Sequence, residues 1–200
     1  MADLLATLGA GWRAMSGWEL LAVVLALVYL LAAIRQRVWC WPAAIASAAI
    51  YLVLMFEARL YMQSVLQLFY MAMAIYGWRN WRRGSTTGGL AVSSWQLRQH
   101  LQALLLIALT GVAGGALLAA YSDAAFPYLD ALVATGAIVT TWMVARKILQ
   151  NWHYWFVIDA MSIYLYAAQG LTLTAALFVL YLVLVVIGYG QWRASMDRHD

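Results

Sequence analysis

Charge is scarce in this chain. Asp, Glu, Lys and Arg make up 10% of its 200 residues, against about 25% in a soluble domain, so an ordinary water-facing surface is excluded. Cysteine is nearly absent. Cys40 is the single one, which rules out a disulfide within the chain and any cysteine-based metal site. Only three histidines and eight acidic residues occur, and no pair of them has metal-ligand spacing on one helix face. Met1 to Gly17 lacks a basic leader region and a separate cleavable apolar core. We therefore expect no removable signal peptide, with the first span itself acting as the insertion signal. Long connections are missing too. The longest, Arg79 to His100, is too short to fold alone, so no soluble catalytic domain fits.

What is present is apolar length. Hydrophobic residues make up 66% of the chain, and mean hydropathy is +0.78. A helix needs about 20 mostly apolar residues to cross ~30 Å of hydrocarbon. Stretches of that kind run from Trp18 to Ile34, Val38 to Phe56, Leu60 to Trp78, Leu101 to Tyr121, Pro127 to Ala145, Trp152 to Gln169 and Leu171 to Tyr189. The expectation is an all-α integral membrane protein with seven spans. The net charge of +4 does not point to nucleic acid, because the basic residues flank helix ends. Counted onto alternate sides, Arg35, Arg37, Arg79, Arg82, Arg83, Arg98, Arg146, Lys147, Arg193 and Arg198 fall together, and only Arg13 and Arg59 fall opposite. Cytoplasmic loops carry the excess of Lys and Arg. The N-terminus is thus expected outside and the C-terminus in the cytoplasm.

Internal self-similarity organises the spans. Tyr70, Gly77, Trp78 and Trp81 recur as Tyr181, Gly188, Tyr189 and Trp192 at one constant offset, as do Leu60 and Leu171. A two-residue adjustment aligns Tyr51 with Tyr164, and one more aligns Trp41 with Trp155. The third span then resembles the seventh and the second the sixth, and by extension the first pairs with the fifth. The expected architecture is 3+1+3, two parallel triple-helix repeats joined by a linker helix. Residues 1–17 form an outer segment, 18–81 the first repeat, 82–100 a cytoplasmic loop, 101–121 the linker, 127–192 the second repeat and 193–200 a cytoplasmic tail. Parallel repeats are a transporter plan with substrate bound near the midplane at their interface. Gly111, Gly114 and Gly115 suit close packing of the linker.

Polar groups within a span are costly and face the bundle interior. Gln63, Gln67 and Tyr70 lie at i, i+4 and i+7 on one face of the third span; their mates are Thr174, Phe178 and Tyr181. Trp152, Trp155 and Asp159 share a face of the sixth span, which opens at Asn151. Asp159 is the one carboxylate well inside a span, and its mate is Ile45 or Ala46. Indole faces beside a carboxylate can hold a flat cationic ring, and the carboxylate can also accept hydrogen bonds from sugar hydroxyls. Interhelical hydrogen bonding and interfacial tryptophans are the structural alternatives. Those alternatives weigh most at Trp78, Asn80 and Trp81, and at Trp39 and Trp41. Thr135, Thr140 and Thr141 read as hydroxyls bonded back to their own helix. Ser47 and Tyr51 stand on one face of the second span and suit a pathway.

The runs Tyr61-Met-Gln63-Ser-Val-Leu-Gln67-Leu-Phe-Tyr70 and Tyr76-Gly77-Trp78-Arg-Asn-Trp81 closely resemble the signature of the PnuC family of bacterial nicotinamide riboside transporters. Asn151-Trp152-His-Tyr-Trp155-Phe-Val-Ile-Asp159 and Gly188-Tyr189-Gly-Gln-Trp192 are similar to that family's later motifs. The resemblance implies a fold related to SWEET sugar transporters, a homotrimer in the bacterial inner membrane, and facilitated diffusion of nicotinamide riboside. It implies trapping by a cytoplasmic riboside kinase, with no cofactor, metal, nucleic acid or coupling ion. The residues it marks for substrate are Gln63, Gln67, Tyr70, Trp152, Trp155 and Asp159. Asn151, Trp78 and Tyr181 join them from the patterns above. Relatives thought to carry thiamine or riboflavin are the competing substrate classes. An enzyme would need a nucleophile–base pair or metal ligands at one depth, and none is present, so no catalytic residue is assigned. A seven-helix receptor is opposed by the parallel repeat and the minimal loops.

Overall fold

The computed structural model describes residues 16–57, 61–86, 90–169 and 172–197. Seven helices fill them: α1 (Gly17–Ile34), α2 (Cys40–Glu57), α3 (Tyr61–Thr86), α4 (Leu97–Tyr121), α5 (Pro127–Ala145), α6 (Asn151–Ala168) and α7 (Thr172–Met196). Local chemistry sets several boundaries. Ser16 caps α1 by accepting the Glu19 N–H at 3.1 Å, which satisfies one of the donors left open at a helix start. Pro127 opens α5, where its missing N–H costs nothing. Gln96 and Gln99 form a reciprocal capping box on α4.

Among the described residues, four helical segments are long and apolar enough to cross a bilayer: Gly17–Ile34, Leu97–Tyr121, Pro127–Ala145 and Thr174–Met196. A shorter apolar helix covers Cys40–Leu54. α3 and α6 carry the amides, the arginines and the buried carboxylate, and their lower hydropathy follows from that. α4 shows how the apolar surface is used. It packs along α5, touches α6 through His100 and the Tyr154 hydroxyl at 3.0 Å, and turns Leu101, Leu105, Leu109, Val112 and Leu117 outward. In water such a face would be a liability; against lipid it is an ordinary surface. Gly111 and Gly115 make the α4–α5 contact close, since a Cβ at either would stand 2.5 Å from Leu132 or Tyr128.

The other six helices pack in two threes. α2 touches α1 and α3, and α6 touches α5 and α7. The two threes meet where α3 packs on α5 and α1 on α7. A constant interval of 111 residues relates them. It carries the start of α2 to that of α6, the start of α3 to that of α7, and the end of α2 to that of α6. It also links the two non-glycine residues that, among the described residues, adopt a left-handed backbone conformation, Gln36 (φ 54°) and Lys147 (φ 51°). Such a conformation is uncommon outside glycine, and each residue turns the chain between two helices.

The same interval corrects the alignment of tryptophans. Trp41, rather than pairing with Trp155, stands where Trp152 stands. Trp41 and Trp81 meet edge to face with centroids 5.3 Å apart, as do Trp152 and Trp192 at 5.3 Å. A Cβ on Gly77 would collide with the Trp41 ring, and one on Gly188 with the Trp152 ring. The counterpart of Asp159 is therefore Ala48. A three-residue slip in the sequence reading moved one indole onto the wrong partner, because apolar runs offer few landmarks.

Candidate functional site

A cavity of about 310 Å³ lies between the two threes, within the range of small-molecule sites. All helices except α4 contribute to its wall. Tyr29 comes from α1, Trp41 from α2, Tyr70 from α3, Trp152 and Trp155 from α6, and Phe178 and Tyr181 from α7. Polar positions on the wall are Ser47, Gln67, Thr141 and Asp159. Two of these are already engaged. Ser47 donates to the Ala22 carbonyl at 2.8 Å, and Thr141 donates to the Ala137 carbonyl at 2.7 Å.

Gln67 and Asp159 are different. Neither has a hydrogen-bond or ion-pair partner among the described residues, and Asp159 is 3% exposed. The one ion pair among those residues joins Arg193 and Asp197 on the surface. A charge taken out of water is expensive unless paired. The cavity thus presents a flat aromatic wall, one amide and one carboxylate, with capacity for a guest bearing complementary donors or positive charge.

The wall is duplicated in position and divergent in content. Trp41 and Trp152, Tyr70 and Tyr181, and Ala74 and Val185 face it at the 111-residue interval. At the same interval Ala44 is answered by Trp155, Ala48 by Asp159, Gln67 by Phe178, and Leu30 by Thr141. The chemically distinctive groups sit where the two threes differ.

Of the residues singled out in the sequence, Gln67, Tyr70, Trp152, Trp155, Asp159 and Tyr181 line the cavity. The side chain of Gln63 lies outside the described residues. Asn151 and Trp78 do not line it. Asn151 is buried with its amide donating to the Ile148 carbonyl at 2.7 Å. Trp78 packs on the core with the Arg82 guanidinium 6.0 Å above its ring. Trp41, Tyr29, Phe178 and Thr141 belong to the wall although sequence reasoning gave them no binding role. Trp41 was recoverable: subtracting the Tyr70-to-Tyr181 interval from Trp152 lands on it.

One end of the cavity is floored by indoles. Trp41 and Trp152 are wall and floor together, and Trp81 and Trp192 close behind them with centroids 6.1 Å apart. The Trp192 indole donates to the Ala33 carbonyl at 3.0 Å. Lys147 holds its ammonium 4.8 Å over the Trp81 ring and donates to Gln36 Oε1 at 3.0 Å. Burial lowers Lys147 below the usual lysine range, since ring face and amide replace water only in part. The segment from Leu90 to Gln96 straps this end. Ser93 N–H donates to the Lys147 carbonyl at 3.0 Å, and Leu149 N–H donates to the Ser93 carbonyl at 2.8 Å.

Among the described residues no group of three or more His, Cys, Asp and Glu gathers as for a metal. The chain matches the profile of the nicotinamide mononucleotide transporter family over residues 16–194. It is 29% identical to the riboflavin/roseoflavin transporter RibM of Streptomyces davaonensis over 186 residues, 90% of this chain and 86% of the relative. It is 20% identical to the nicotinamide riboside transporter PnuC of Escherichia coli over 214 aligned positions, 94% and 90% of the two chains. In the crystal structure of the vitamin B3 transporter PnuC, the likeness has a TM-score of 0.75 at 21% identity and covers 98% of this chain and 91% of that one. These relatives are transporters, not enzymes. With a family profile matched from the first described residue almost to the last, this multi-pass membrane protein belongs to the nicotinamide mononucleotide transporter family, the PnuC family of vitamin-type transporters.

Proposed function

We propose that this chain carries nicotinamide riboside across the bacterial inner membrane by facilitated diffusion, alternating access to its central cavity between the two sides. The observation that carries the reading is Asp159, a buried carboxylate without a partner among the described residues, set on an aromatic cavity wall. A pyridinium ring stacks on indoles and meets that charge. The riboside hydroxyls and carboxamide give Gln67 and the tyrosine hydroxyls acceptors and donors. On this reading Gln63, Gln67, Tyr70, Trp152, Trp155, Asp159 and Tyr181 contact substrate. Asn151 and Trp78 act from behind the wall, by supporting Trp152 and the third helix.

The mechanism rests on two parallel three-helix repeats joined by α4. The 111-residue interval supports that arrangement. So does the exchange of contacts between the halves, since α1 on α7 and α5 on α3 are the same contact under a twofold relation. Such repeats rock about a midplane site. The arginine-rich side is the cytoplasmic one, which puts the indole floor at the inner end. Phosphorylation of the riboside by a cytoplasmic kinase would keep it inside, and a homotrimer would give each protomer its own path. Both of these come from the family resemblance.

A second reading, riboflavin, is favoured by the higher identity to RibM. Its flat ring and polyol would fill the same aromatic cavity, with Asp159 accepting ring N–H and ribityl hydroxyl protons in place of meeting a cation. Uptake of radiolabelled nicotinamide riboside into proteoliposomes, with unlabelled riboflavin, thiamine and nicotinamide mononucleotide as competitors, decides between them. Saturable equilibration blocked only by the riboside supports the first reading. Flux of riboflavin or thiamine without riboside flux sinks it and moves the substrate to that vitamin.

A further inference from the structure

We infer that the cluster of Trp41, Trp81, Trp152 and Trp192 is the inner gate of the transport path, tied shut through Gln36 and poised to open because it closes over polar groups it does not satisfy. The inference rests on the transporter reading above and adds which residues move and what balances them.

Four side-chain ties between the halves lie at this end. Trp192 donates to the Ala33 carbonyl at 3.0 Å, and Asn80 donates to the Ala145 carbonyl at 2.8 Å. Gln36 is the centre of a chain, accepting from Lys147 at 3.0 Å and donating to Ser195 Oγ at 2.7 Å. Every side-chain hydrogen bond between two described residues that joins α1–α3 to α5–α7 is one of these four. The loops differ as well. The α5–α6 turn is strapped by the backbone of Ser93, whereas among the described residues the Gln36 side chain alone hydrogen-bonds the α1–α2 turn to the second half. The α1–α2 turn is therefore the more lightly held of the two.

Closing is not cheap. The buried indole N–H groups of Trp41, Trp81 and Trp152 find no acceptor among the described residues. A buried unsatisfied donor costs about 1–3 kcal/mol, and such groups call for an explanation when they gather in one place. The Lys147 ammonium is buried among the same rings. Opening returns all of these groups to water. A two-state element works only when its closed form lies a few kcal/mol at most from its open form. Unsatisfied donors on one side and the Gln36 ties on the other supply that near-balance.

The single cysteine is a built-in reporter. Cys40 is fully buried in the same core cluster as the four indoles. Full-length protein is placed in vesicles, and a membrane-impermeant maleimide is applied to the face carrying the α1–α2 and α5–α6 turns. Gln36→Asn tolerates the left-handed backbone but is one methylene too short to reach Lys147. It leaves the ammonium buried without that acceptor, and Cys40 labelling rises about tenfold. Lys147→Met keeps the length and removes the buried charge, so labelling falls below the wild-type rate, the opposite sign. Trp81→Phe removes an unpartnered donor while keeping a ring face beneath the Lys147 ammonium, so it moves labelling in the same direction as Lys147→Met and serves if that variant folds poorly. Cys40→Ser gives the blank. Equal labelling in all the variants, or opening by Lys147→Met as large as by Gln36→Asn, overturns the gate. Vitamin flux is followed in the same vesicles. Wild-type flux with invariant labelling overturns the gate alone. No flux of any vitamin with variant-dependent labelling keeps the moving element and overturns the transporter reading.

Discussion

Helices α1–α3 and α5–α7 agree at their turn ends and disagree at the cavity wall. At the turns each half has a left-handed residue, a tryptophan on the second residue of its middle helix, a glycine on its third helix to admit that ring, and a second tryptophan beyond it. At the wall, Ala44, Ala48 and Gln67 are answered by Trp155, Asp159 and Phe178. The contrast separates two demands. Packing an indole against a helix has one solution that works equally well twice. Holding an asymmetric molecule between two equivalent surfaces requires that they stop being equivalent.

The comparison breaks first, and hardest, at the glycines. Gly77→Ala and Gly188→Ala each push a methyl into an indole ring, and overpacking of this kind costs about 1–3 kcal/mol. The two variants should lose stability alike in thermal unfolding of the purified protein. A harmless substitution at one glycine would show that the halves are not packed by the same device.

The wall should respond in the opposite way, with effects on one side only. Trp155→Ala removes a stacking face and is expected to weaken substrate binding about 10- to 100-fold, taking a stacked ring at about 1–3 kcal/mol. Asp159→Asn keeps the shape and removes the charge. It should weaken a cationic ligand by at least about tenfold, since a hydrogen bond to a charged group contributes about 1.5–3 kcal/mol, and a neutral analogue by much less. Binding titrations with both ligands check this, and equal losses would remove the electrostatic role of Asp159. Substitutions at Ala44 and Ala48 that keep side chains small, such as Ala48→Gly, should leave binding within a few-fold.

The smallest effect sharpens the floor. Trp192 donates to a carbonyl, while Trp81 has no acceptor among the described residues. Trp192→Phe should cost about 1 kcal/mol for its hydrogen bond. Trp81→Phe should cost less, because the donor it removes had no acceptor. Melting temperatures of the two variants, compared side by side, test whether the matched indoles are energetically unequal.

Much of the site could be read from residue type. Asp159 and Gln67 stand out because a carboxylate and an amide have no reason to be in hydrocarbon unless something meets them. Trp152 and Trp155 follow from their helical spacing to Asp159. Trp39 and Trp41 could not be told apart by type. They are two residues apart on either side of a helix start, yet Trp39 is 78% exposed and Trp41 is 1% exposed. Tyr29, Phe178 and Thr141 were equally mute, being apolar or self-bonded residues in spans full of such residues.

What the sequence by itself determined is what depends on local composition and period. Apolar runs of membrane length, the span start at Pro127, the one-sided arginines and the out-of-place carboxylate each need only a few neighbouring residues to be defined. The tertiary structure alone decided which tryptophans share a floor, which residues oppose each other at the 111-residue interval, and that Asp159 and Gln67 face one cavity. In a span where nearly every side chain is apolar, hydrophobicity cannot distinguish a face turned to lipid from a face turned to another helix. That choice is made by helix–helix packing, by which ring fits against which glycine, and it exists only once all six helices are in place.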